Sequence, residues 1–99
     1  KPLFGDRNLK IRKMFKYGNG NNVIKLILES KSGSVLDGMI FCDDGSFDKA
    51  IIQRYGEEEL TNILYGKSND ISLDIIYYPN LNEYMGKASI QIIIQGYRI

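Results

Sequence analysis

The chain has no histidine, no tryptophan, a single cysteine and two prolines in 99 residues. Without histidine the commonest general base and the commonest metal ligand are gone, and so is every Ser-His or Cys-His arrangement. One cysteine excludes an internal disulfide and a cysteine-based zinc site. Cys42 lies in the apolar run Met39-Ile40-Phe41-Cys42. It is therefore expected to be a buried structural thiol in a reducing, cytoplasmic setting. No apolar run approaches the roughly 18 residues of a membrane helix, so no membrane partner is expected. A signal-peptide pattern is also missing. The chain starts at Lys1 rather than Met, as expected of a piece of a larger protein.

What is present fits one soluble domain spanning residues 1–99, with 43% hydrophobic and 25% charged residues. The net charge of +1 hides an uneven distribution. Residues 1–31 carry eight cations against two carboxylates, a balance of +6, and residues 32–76 carry three against nine, a balance of −6. A basic first third is what a polyanion-binding face looks like, and it is also what a solvated strand face balanced by an acidic helix looks like.

Periodicity sets the element order. Leu9-Lys10-Ile11-Arg12 alternates apolar and basic, the signal of a half-buried strand. Lys13 then falls where an apolar residue is due, and a bulge near Arg12–Met14 would account for it. With the bulge, Lys13, Phe15 and Tyr17 share the solvent face with Lys10 and Arg12; without it, Phe15 and Tyr17 continue the core face. Gly18-Asn19-Gly20-Asn21-Asn22 reads as a turn. Val23 to Ser30 reads as a second strand with Ile24, Leu26 and Leu28 inward, and Val35 to Cys42 as a third. Gly38 inside the third implies a sharp bend or close packing.

The period then becomes helical. Phe47, Ala50, Ile51, Arg54 and Tyr55 form a stripe, with Ser46 as the expected N-cap and Gly56 as the stop. Glu57-Glu58-Glu59 opens a second short helical pattern that Gly66 can end. Ile71, Leu73, Ile75 and Tyr77 alternate as strand four, Pro79 to Gly86 reads as a loop, and Ala88 to Ile94 reads as strand five. Residues 1–7 are expected to be a leader from a preceding domain. The order β-β-β-α-β-β is that of a mainly β, five-stranded OB-fold Greek-key barrel with a helical insertion between strands three and four. An α+β sheet with one helix on one face is the other arrangement that fits.

Three stretches resemble the C-terminal OB domain of the RecJ single-strand-specific 5′→3′ exonucleases. They are Pro2-Leu3-Phe4 with Leu9-Lys10-Ile11-Arg12, Gly18 leading to Ile24-Lys25-Leu26-Ile27-Leu28, and Asn82-Glu83-Tyr84-Met85-Gly86-Lys87 followed by Ile90-Gln91-Ile92. The last is similar to the family's Asn-Glu-Trp/Tyr-Asn-Gly-Lys hairpin. Val23 stands where the family usually has His, and Asp43-Asp44-Gly45 replaces a glycine-rich exit from strand three. The resemblance implies a non-catalytic domain without a cofactor of its own. Catalysis, with two metals (manganese or magnesium), belongs to preceding DHH and DHHA1 domains, which are then partners within the parent chain. It further implies that the domain helps hold single-stranded DNA.

Single-strand binders combine cations that follow the backbone with aromatic faces on which bases stack. The candidates are Arg12, Lys13, Phe15, Lys16, Tyr17 and Lys25 near the first turn, and Tyr84 and Lys87 in the last hairpin. The rival expectation is an inter-domain or protein docking module, with Val23, Ile27 and Ile93 as an apolar outer patch.

Overall fold

The computed structural model describes the backbone of residues 2–84 and 87–99, and the side chains of residues 2–80 and 91–99. Five strands form a closed barrel in the order β1-β2-β3-β5-β4. They are β1 (Phe4–Tyr17), β2 (Val23–Glu29), β3 (Val35–Ile40), β4 (Ser72–Tyr84) and β5 (Lys87–Arg98). Between β3 and β4 lie α1 (Ser46–Tyr55) and α2 (Glu57–Leu64). Neighbouring strands are antiparallel except β3 and β5, which are parallel. This is the expected OB barrel.

The core follows from the alternation. Leu9, Ile11 and Met14 of β1, Ile24, Leu26 and Leu28 of β2, and Leu73 and Ile75 of β4 are buried. Phe47 and Ile51 of α1 and Ile63 of α2 are buried on the same cluster, with Phe47 edge-on to Tyr97 at 5.1 Å between ring centres. Gly38 is there for close packing: a Cβ at that position would stand 2.8 Å from Ile94 Cδ1 and 3.3 Å from Leu28 Cδ1.

β1 serves two neighbours by bending twice. Its register against β2 shifts between Ile11 and Lys13, where the broken alternation put a bulge. Its register against β4 shifts between Asp6 and Leu9. There Asn8 takes a left-handed φ of 59°, a conformation Asn tolerates better than most residues. Its N–H donates to Asp74 Oδ1 at 2.9 Å, and Arg98 donates to the other oxygen at 2.9 Å.

Four boundaries differ from expectation. Phe4, Gly5 and Asp6 pair with Tyr77, Ile76 and Ile75, so strand one begins inside the stretch 1–7 expected as a leader. Strand three stops at Ile40; Cys42 has φ 58° and is exposed, and Phe41 is 50% exposed, so the thiol is not buried. Residues 79–84, expected as loop, continue β4 against β5. Pro79 is tolerated because β1 stops pairing at Tyr77, which leaves that side of β4 as an edge. The cap of α1 is not Ser46: Asp43 accepts from the N–H groups of Gly45 and Phe47, and Asp44 accepts from that of Ser46. The adjacent aspartates thus serve the helix N-terminus, and the bonds from Ser46 hold the Asp44 carboxyl below its ordinary range.

Candidate nucleic-acid interface

The bulge at Ile11–Lys13 decides what faces solvent. It takes Arg12 out of the ladder and turns Lys13, Phe15 and Tyr17 outward. The carbonyl of Ile11 beside it accepts from Asn69 Nδ2 at 2.9 Å, so the turn after α2 fixes the bulge.

Phe15 and Tyr17 then stack, ring centres 6.2 Å apart and planes 16° from parallel. Lys13 Nζ is 4.8 Å from the centre of the Phe15 ring. Lys25, opposite Phe15 in the β1–β2 register, holds its ammonium 5.8 Å from the same ring. Tyr17 is 47% exposed and Phe15 is half-buried between the two lysines. This is an aromatic step with a cation on each side of Phe15.

Not all the candidate cations belong to it. Lys16 pairs with Ile24 in register, on the inward side, and its ammonium is bound to Asp48 of α1. Both are largely covered, with side chains 26% and 23% exposed, and Asp48 Oδ1 is buried without a partner among the described residues. Lys16 therefore closes one end of the barrel under α1. Arg12 reaches Glu29 at 3.7 Å and Lys25 reaches Asp37 at 3.8 Å, both longer than a hydrogen bond.

The last hairpin stands elsewhere. Ile24 pairs with Ile40, so the turn between β1 and β2 lies at the end of β3. Gln91 pairs with Asp37 in a parallel register, so the part of β5 before Gln91 runs toward the start of β3. The two segments expected together thus flank the β2–β3 face from opposite ends. Tyr84 and Lys87 face each other in the β4–β5 register, and their side chains lie outside the described residues. Of the expected docking patch, Val23 and Ile27 do face outward, opposite Tyr17 and Lys13, but Ile93 is only 8% exposed and does not join them.

Sequence reasoning put Lys10 on the solvent face of strand one without naming it among the candidates, and passed over Lys67. Lys10 is exposed on β1, and Lys67 follows α2. Neither has a carboxylate at ion-pair distance among the described residues. Lys10 stood in the basic alternation of β1, but nothing in the sequence ties Lys67 to that strand. Among the described residues no three His, Cys, Asp or Glu side chains group as metal ligands, and no helix is long and apolar enough to cross a membrane.

The closed β1-β2-β3-β5-β4 barrel, with its helices between the third and fourth strands and its outward aromatic and basic β1 face, places the molecule in the OB-fold class. The family model of the RecJ OB domain matches residues 1–96, essentially the whole chain, and the chain belongs to that family. No curated protein matches it.

Proposed function

We propose that this chain is the non-catalytic single-stranded-DNA-binding domain of a RecJ-like 5′→3′ exonuclease, holding the strand by its phosphates and by stacking. The observation that carries this reading is the Phe15–Tyr17 stack with Lys13 and Lys25 beside it, turned outward by the bulge. Stacking on such a platform contributes about 1–3 kcal/mol per base and is indifferent to sequence, because every base has a π-face. Lys13 supplies charge that follows a phosphodiester backbone, and Lys25, with Asp37 at 3.8 Å, adds a smaller share. A single strand offers free base faces; a duplex keeps them stacked inside and offers this step only its phosphates. The domain works beside DHH and DHHA1 domains of the same parent chain, in the cytoplasm. Those domains hold the manganese or magnesium of the nuclease.

The test is a fluorescence-anisotropy titration of the 99-residue chain against labelled oligo-dT and a duplex of equal length, at low and at physiological salt. Binding that favours the single strand and weakens with salt is expected. Equal binding to both would remove the role of the aromatic step, and no binding at low salt would favour a docking module.

A further inference from the structure

We infer that the phosphates of a bound single strand run along β1 into the recess between β1 and the turn after α2, rather than across the β2–β3 face that OB folds commonly use. The inference rests on the nucleic-acid reading above and deepens it.

The first ground is where the unpaired cations are. On the outer β2–β3 face the lysine is Lys25, and Asp37 of β3 already stands 3.8 Å from it. An incoming phosphate there must displace that carboxylate. On β1 and the α2–β4 turn, Lys10, Lys13 and Lys67 have no carboxylate at ion-pair distance among the described residues.

The second ground is that these cations line one recess. Lys10, Arg12, Glu29, Gly66, Lys67 and Ser68 are among the walls of a space of about 310 Å³ beside the bulge. Lys10, Lys67 and the Ser68 hydroxyl suit a tetrahedral anion, while Arg12 and Glu29, 3.7 Å apart, engage each other at the rim. The floor is fixed before any ligand arrives, because Asn69 is bonded to the carbonyls of Ile11 and Lys67 at 2.9 and 3.1 Å.

The third ground is continuity. Lys13 spans the distance between recess and aromatic step. Its aliphatic carbons lie against Gly66, where a Cβ would meet Cδ at 3.4 Å, and its ammonium lies over the Phe15 ring. Lys10, Arg12, Lys13, Phe15 and Tyr17 therefore make one outward track. At the usual strand rise it is roughly 20 Å long, enough for about four nucleotides, the lower end of the OB range.

Two neutral variants separate the alternatives: Lys10→Gln/Lys67→Gln, and Lys25→Gln. Each substitutes lysines outside the buried core, and circular dichroism checks the fold. Oligo-dT affinity is measured by anisotropy across a salt series. Each phosphate contact on a single strand contributes about 0.7 to the slope of log K against log salt. The double variant should lower that slope by about 1.4, and Lys25→Gln by less than half as much. If Lys25→Gln takes the larger share, or the double variant keeps the wild-type slope, the inference falls while the nucleic-acid reading stands. If the wild-type chain shows no salt-dependent binding, both fall.

Discussion

β1 bends twice, and the two bends are put to different use. At Asp6–Leu9 the polar groups are tied to one another. Asp74 accepts from the Asn8 N–H and from Arg98, and the Tyr77 hydroxyl donates to Asp6 at 2.8 Å. At Ile11–Lys13 Asn69 secures the backbone and Arg12 stands 3.7 Å from Glu29, but the lysines on either side, Lys10 and Lys13, have no carboxylate at ion-pair distance among the described residues. The same device ties Asp6 and Asp74 into hydrogen bonds where it helps close the barrel, and leaves Lys10 and Lys13 outward without carboxylates at ion-pair distance among the described residues where it presents a surface. Leu9 sits between the bends and is 1% exposed, so both keep one residue inward.

The strongest way to break this comparison is to remove what the bends share. Leu9→Ala should cost about 2–5 kcal/mol in urea unfolding, the usual range for a large-to-small change in a packed core. A loss under 1 kcal/mol would mean that the bends do not exist to bury Leu9. Lys16→Met separates the end of the same strand from its outer face. It leaves the largely covered Asp48 carboxylate without its cation and should cost about 1–3 kcal/mol. Oligo-dT affinity should stay within twofold, and adding Asp48→Leu should recover most of the stability. Phe15→Ala works the other way. It should weaken oligo-dT binding by about 1–3 kcal/mol, the worth of one stacked base, while the unfolding midpoint moves little.

The smallest effect belongs to the closed bend. The Asn8 N–H, then Arg98, holds the Asp74 carboxyl below its ordinary value of 3.8. Since the folded-state value is the lower one, the stabilisation is present above the unfolded value and is lost as pH falls through the folded one. Asp74→Asn should flatten the acid limb of the stability curve below about pH 4 and leave neutral-pH oligo-dT binding unchanged.

The second bend was legible because Lys13 interrupts a strict alternation, and an interruption in a strand has few physical remedies. The first was not: Phe4-Gly5-Asp6-Arg7-Asn8 has no period to interrupt, and its bend depends on Asp74 and Arg98 far along the chain. Lys16 looked like its neighbours because its partner, Asp48, is 32 residues away on a helix. Cys42 misled through its apolar neighbours; the left-handed backbone there ends the strand and turns the thiol out. Pro79 and the asparagines beside it read as a turn, yet an edge strand accepts them. On the outer face, Phe15, Tyr17 and Lys25 could be brought together from register alone, since two paired strands place opposite residues side by side. Lys67 could not, because only the folded turn after α2 brings it to β1.

An amide chemical-shift titration of the isotope-labelled chain with oligo-dT tests the central claim directly, because it reports both bends at once. Shifts should concentrate in residues 10–17, in Val23–Ile27 and in residues 66–69, while Asn8, Asp74 and Arg98 stay still. Shifts centred on Asn8, Asp74 and Arg98, with the outer face of β1 unmoved, would contradict the account.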